Sequence, residues 1–322
     1  MYSRIAGTGR YLPERILTNA ELEKLVDTTD EWIKSRTGIE RRHLAGPEDT
    51  SSTMATAAAR QAMAAAGVAA SDIDFIAVGT TSPDLVFPNV GTLVQAALGV
   101  HDCPAFSVET ACSGFIYCLA IADKFMRLGE IRCALVIGVE TITRVLDWSD
   151  RATCVLFGDG AGAVILKPDP NPGIITTHLS ADGQYKELLR YPYGISSGFD
   201  KLRAGAQAGI QMKGNEVFKV AVNTLSRLVD VTLEKGGVTQ AQIDWLIPHQ
   251  ANLRIIQAAA RKLGLPMSQV IVTVQDHGNT SAASIPLALD VAVRDGRIKR
   301  DQLLLLETFG GGFTWGSALL RY

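Results

Sequence analysis

AAGVAASDIDFIAV, residues 65–78, returns in pattern as KGGVTQAQIDWLIP, residues 235–248; both share a Gly-Val pair, a gap, and Ile-Asp followed by an aromatic residue. Around the first copy, alanine-rich helical text over 55–68 leads into the apolar strand DFIAVGT over 74–80. Short apolar runs alternating with longer helical patterns are α/β text. Two further landmarks recur in the same order. Glu140-Thr141 ends ALVIGVET and Glu307-Thr308 ends LLLLET, an offset of 167 residues; GAVIL at 162–166 answers GSALL at 316–320, an offset of 154. A period near 150 residues is too long for a solenoid and predicts two similar α/β halves packed as a pseudo-dimer, divided as 1–170 and 171–322. The 167 offset sets Cys112 opposite Asn279.

Size and composition agree with that division. A chain of 322 residues exceeds what one hydrophobic core supports. With 47% hydrophobic and 20% charged residues it is ordinary globular text, neither disordered nor membrane-like. Thirty-one basic residues against thirty-three acidic leave no global attraction to nucleic acid or membrane, so an acidic partner must be met by a local patch. The five cysteines, Cys103, Cys112, Cys118, Cys133 and Cys154, are odd in number and confined to the first half, a poor disulfide framework. The opening MYSRIAGTGRYLP lacks a signal-like apolar core, and no run reaches the roughly 18 apolar residues of a membrane span. A cytoplasmic protein with reduced thiols is expected.

Polar residues at the exits of apolar runs point to the site. In VETACSGF, residues 108–115, Cys112 stands where a strand gives way to a nearly all-apolar helix over 113–128 that stops near Gly129. A helix N-terminus favours thiolate over thiol, which makes a nucleophile; a free cysteine is also a common small buried hydrophobe, and the local text leaves both readings open. In IPHQANLR, residues 247–254, His249 follows an apolar strand and precedes a helix over 253–263; in HGNTSA, residues 277–282, Asn279 sits at another helix start. Strand-to-helix turns line the side of an α/β sheet where ligands bind, so Cys112, His249 and Asn279 are expected to converge on one pocket. No metal-ligand spacing is present, and FGDGAG at 157–162 lacks the Lys-Ser or Lys-Thr of a phosphate loop.

The motifs ACSGF, FGDGAGAV, PHQANLRI, HGNTSAASIP and FGGGFTWGSALL together resemble the bacterial β-ketoacyl-acyl-carrier-protein synthase III family of the thiolase superfamily, from GTGRYLP at residue 7 to the C-terminus. The resemblance implies the five-layered αβαβα thiolase fold with duplicated halves. It implies a decarboxylative condensation that starts fatty-acid chains: Cys112 takes an acyl group from acyl-CoA, acetyl by default, and the carbanion from malonyl-carrier protein attacks it. His249 and Asn279 match the donors that hold the enolate oxygen, and the backbone N–H groups of Cys112 and Gly311 match the tetrahedral oxyanion site. Trp32, Arg36 and Thr37 match CoA-binding positions, as do Arg151, Asn215, Phe218, Ala251 and Asn252 along the pantetheine tunnel. Lys219, Arg254, Arg261 and Lys262 match the patch that docks acidic carrier protein. The family is homodimeric, and Phe87 in LVFPN at 85–89 matches a pocket wall reaching into the partner's site, a region that residues 193–209 also border. His277 is expected to be structural. CoA and phosphopantetheine thioesters serve as substrates, with no cofactor or metal. The other readings are a specialised acyltransferase of the same fold, using a longer acyl-CoA or an oxygen or nitrogen acceptor, and a silent acyl-binding module.

Overall fold

The computed structural model describes residues 1–205 and 208–322. Nine strands build two sheets. The first holds β1 (Tyr2–Tyr11), β2 (Phe75–Gly79), β3 (Ala105–Val108), β4 (Ala134–Glu140) and β5 (Gly160–Asp169), in the order β1-β5-β4-β2-β3. The second holds β6 (Ile174–Ala181), β7 (Trp245–Pro248), β8 (Leu303–Gly310) and β9 (Thr314–Arg321), in the order β6-β9-β8-β7. In the first sheet two parallel pairings, β3 with β2 and β2 with β4, are followed by two antiparallel ones; in the second a single parallel pairing, β7 with β8, is followed by two antiparallel ones. Strands such as ALVIGVE and LLLLETFG are buried at every residue, as unbroken apolar runs covered on both faces should be.

The principal helices are α1 (Asp30–Thr37), α2 (Ser51–Ala66), α3 (Val90–Leu98), α4 (Gly114–Leu128), α5 (Gly214–Gly236), α6 (Leu253–Lys262) and α7 (Ser284–Arg294). Helices α4 and α7 lie between the sheets: Phe115, Ile116, Leu119, Ile285 and Leu289 pack with Phe75 and Val136 of one sheet and Leu304 and Leu306 of the other. Helices α2 and α3 cover the outer face of the first sheet, and α5 and α6 that of the second. The result is the five-layered αβαβα thiolase fold with two duplicated halves. No described helix is long and apolar enough to cross a membrane.

The duplication is real, but its register corrects the sequence reading. Strands β2 and β7, beginning at Phe75 and Trp245, are 170 residues apart, and so are the short turns Ala111–Ser113 and Ser281–Ala283 that open α4 and α7. Gly138 pairs with Gly162 across β4 and β5 as Thr308 pairs with Gly316 across β8 and β9, again 170 residues from 138 to 308. Glu140 therefore corresponds to Gly310 rather than Glu307, and Cys112 to Ala282 rather than Asn279. The repeated Glu-Thr pair is a coincidence three residues out of register, and an odd shift in a strand puts a side chain on the opposite face.

Candidate active site

The two central turns share a backbone device. Ala111 and Ser281 open them with φ of 46° and 48°, a left-handed conformation that costs a non-glycine residue roughly 1–2 kcal/mol. Cys112 follows Ala111 and precedes α4, which starts at Gly114. Its carbonyl accepts the Thr308 hydroxyl at 2.9 Å, and a Cβ on Gly310 would lie 2.8 Å from its backbone nitrogen. The end of β8 thus clamps the turn, and only glycine leaves room for it.

His249 leaves β7 with its backbone N–H donating to the Glu307 carbonyl at 2.8 Å. Its Nδ1 lies 2.6 Å from the Ser284 hydroxyl, whose oxygen accepts the Gln250 N–H at 3.3 Å. When the hydroxyl donates to Nδ1, the imidazole carries its own proton on Nε2. Burial pushes His249 down to about 3, so the ring is neutral at physiological pH and offers one N–H donor. Asn279 is fixed likewise: its Oδ1 accepts the Ser281 N–H at 2.9 Å, leaving the amide N–H₂ to donate.

Cys112, His249 and Asn279 line one cavity of about 410 Å³, with Trp32, Arg36, Asn215, Phe218, Ala251, Asn252 and Arg254 along the rest of its wall. Cys112 also lines a second, mainly apolar cavity of about 500 Å³ with Ser281, Gly311, Phe157, Leu189 and Tyr193. Cys112 belongs to both cavities, the first termed the outer tunnel and the second the inner pocket. Of the two influences on Cys112, the helix start favours the thiolate, while burial pushes the thiol up to about 11, with the Ser281 hydroxyl acting in the lowering direction.

The remaining predicted residues divide. Arg151 lies outside the outer cavity but sets its guanidinium 5.2 Å from the Trp32 ring centre, which Arg36 approaches at 5.7 Å. Thr37 does not reach the cavity; its hydroxyl donates to the Ile33 carbonyl and accepts the Ile39 N–H, closing α1. Arg254 stacks on Phe218 at 5.3 Å at the tunnel rim, and Arg261 is exposed on the same helix. Lys219 is exposed on α5 beside a separate depression, while Lys262 is paired with Asp230 at 2.8 Å. Phe87 is 84% exposed and borders neither cavity of its own chain. His277 is buried edge-on to His43 and lines neither cavity. Of 193–209, Tyr193 reaches the inner cavity, and residues 206 and 207 lie outside the described residues. Sequence reasoning missed Ser284, which orients His249, along with Ser281 and Glu140; a serine in SAASIP carries no signal until its partner is placed.

A duplicated αβαβα core with a cysteine on the first inner turn is the framework of the condensing acyltransferases of the thiolase superfamily. Comparison narrows the class: the profile described as 3-oxoacyl-acyl-carrier-protein (ACP) synthase III matches residues 106–183, and its C-terminal counterpart matches 233–322. A β-ketoacyl-acyl-carrier-protein synthase III of Thioalkalivibrio sulfidiphilus is 62% identical over all of this chain and 99% of that protein. The crystal structure of 3-oxoacyl-acyl-carrier-protein synthase III from Aquifex aeolicus superposes with a TM-score of 0.93 at 46% identity, covering 99% of this chain and all of that one. The corresponding structure from Pseudomonas aeruginosa gives 0.93 at 38% identity, covering 100% and 98%. The chain belongs to the β-ketoacyl-acyl-carrier-protein synthase III family and is a condensing acyltransferase of fatty acid biosynthesis.

Proposed function

We propose that this enzyme condenses an acyl-CoA primer, acetyl-CoA first among them, with malonyl-carrier protein to give 3-oxoacyl-carrier protein, acting as a cytoplasmic homodimer without cofactor or metal. The observation that carries this reading is the place of Cys112 in the wall of both cavities, with two preset donors in the outer one. CoA enters the outer tunnel with its adenine on Trp32 and its phosphates near Arg36 and Arg151; Thr37 serves by closing α1 beneath them. Asn215, Phe218, Ala251 and Asn252 flank the pantetheine arm. The Cys112 sulfur attacks the thioester carbonyl, the N–H groups of Cys112 and Gly311 hold the oxyanion, CoA leaves, and the acyl chain rests in the inner pocket. The carrier arm then brings malonyl down the same tunnel. As carbon dioxide departs, the Nε2–H of His249 and the amide of Asn279 hold the enolate oxygen without reorganising. The carbanion attacks the acyl-cysteine and releases the product.

Arg254, Arg261 and Lys219 form the carrier-docking face; Lys262 joins it only by leaving Asp230. Phe87, with Leu85 and Val86 also exposed, completes the partner's primer pocket across the dimer axis. The test is intact-protein mass after acetyl-CoA and then after malonyl-carrier protein, for wild type and Cys112→Ser. Wild type alone should gain one acetyl mass and lose it as acetoacetyl-carrier protein forms. No acyl gain with acetyl-CoA or longer acyl-CoAs overturns the reading.

A further inference from the structure

Thr81, Ser82 and Ser281, in the wall of the inner cavity next to Cys112, bond to a buried carboxylate behind them that the condensation described above leaves unused. Glu140 ends β4 with no exposed surface. Its carboxylate accepts the Thr81 N–H at 3.2 Å, the Thr81 hydroxyl at 3.1 Å, the Ser82 hydroxyl at 2.6 Å, the Thr80 hydroxyl at 3.4 Å and the Ser281 hydroxyl at 3.1 Å. Ser281 and Cys112 share the wall of the inner cavity, and the Ser281 hydroxyl acts to lower the Cys112 thiol. Thr80, Thr81 and Ser82 after β2, Ser281 before α7, and the Cys112 thiol before α4 are what faces this carboxylate. No lysine, arginine or histidine among the described residues bonds to it. Burial without a cation pushes Glu140 up to about 7.

The duplicated fold gives this cluster a built-in comparison. At the 170-residue register, Ser281 replaces Ala111, Glu140 stands where the other half has Gly310, and Cys112 replaces Ala282. Among the differences between the halves at this seam, these three bring a carboxylate within 3.1 Å of the Ser281 hydroxyl, in the wall that also carries Cys112. A carboxylate kept only to cap the loop after β2 has no need of the hydroxyl on the opposite turn.

Resting on the condensing reading, we propose that Ser281 and Glu140 are a proton relay for Cys112. In acylation the S–H proton passes to the Ser281 oxygen as the Ser281 hydroxyl proton passes to Glu140 Oε1. The sulfur bonds the acyl carbon, the carbon–sulfur bond to CoA breaks, and the CoA thiolate takes a proton from solvent. In condensation the malonyl carboxylate leaves as carbon dioxide and its electron pair forms the new carbon–carbon bond. The acyl–sulfur bond breaks, and protonated Glu140 returns its proton through Ser281 to the Cys112 thiolate. Charge balances in both halves.

Glu140→Gln and Ser281→Ala test the relay by rapid-quench mass measurement of acetyl transfer from acetyl-CoA between pH 6 and 9. The expected result for both is a loss of about 100-fold at pH 7, shrinking as pH rises because solvent base then ionises the thiol. A deficit of constant size across pH, or wild-type rates in both variants, overturns the relay. Ser281→Ala removes a single hydroxyl and decides the matter if the Gln variant misfolds. Absence of acylation in wild type overturns the condensing reading and the relay with it, whereas wild-type acylation with unchanged pH profiles in the variants overturns the relay alone.

Discussion

Replacing Glu307 by Gln should make the protein progressively more stable than wild type as pH rises. Glu307 is 1% exposed on β8, and neither carboxyl oxygen has a hydrogen-bond partner among the described residues. Burial pushes it from 4.5 to about 8. A folded value above the unfolded one means that the folded state holds the proton more tightly. Its contribution is fully present below pH 4.5 and is lost as pH climbs toward 8. Within that window wild type loses about 1.4 kcal/mol per pH unit from this group, and the Gln variant does not. Between pH 5.5 and 7.5 the difference should move by about 3 kcal/mol in favour of the variant, or about 5 °C in Tm. Paired thermal unfolding at matched pH reads it directly, since His249, His277 and Glu140 titrate in both proteins and cancel. A difference flat to within about 1 °C refutes the reasoning.

Ser284→Ala should lower the rate of malonyl decarboxylation about 100-fold, because His249 loses the partner that keeps its proton on Nε2; release of carbon dioxide at saturating malonyl-carrier protein measures this. Gly310→Ala should drive a methyl against the Cys112 nitrogen, cutting kcat about 100-fold and costing about 1–3 kcal/mol by overpacking; steady-state kinetics and thermal unfolding read both. Trp32→Ala should raise KM for acetyl-CoA about 5-fold, from loss of about 1 kcal/mol of stacking, and calorimetric binding of CoA should follow it. Arg254→Ala should raise KM for malonyl-carrier protein several-fold while Lys262→Ala changes it less than about 2-fold, since the Lys262 charge is already engaged with Asp230.

Much of this arrangement is legible in the sequence because it follows from periodicity and from polar residues placed at the exits of apolar runs. The Gly-Val and Ile-Asp-aromatic copies set the halves, and Cys112, His249 and Asn279 are polar residues that such runs deliver to one end of each sheet. The register is less legible. Composition alone does not tell which face of a strand a residue takes, and Glu140 turns to the central layer while Glu307 turns outward. Three other features depend on contacts between segments far apart in the chain: Ser284 finding His249 35 residues away, Lys262 finding Asp230 32 away, and Ser281 finding Glu140 141 away. The state of the Cys112 thiol, left open by the local text, depends on burial that only the fold supplies. A helix start favours the thiolate, whereas loss of hydration favours the thiol.

The outer tunnel has further significance for how the enzyme is run. On the proposed reading, spent CoA and the incoming carrier arm use the same doorway to Cys112, so traffic is single-file. Each must clear the passage before the other enters, which sets a ping-pong order. Free CoA should accordingly compete with malonyl-carrier protein, and an excess of either substrate should stall the cycle by occupying the tunnel out of turn. A cell rich in CoA would slow chain initiation without any separate regulatory site, by congestion alone.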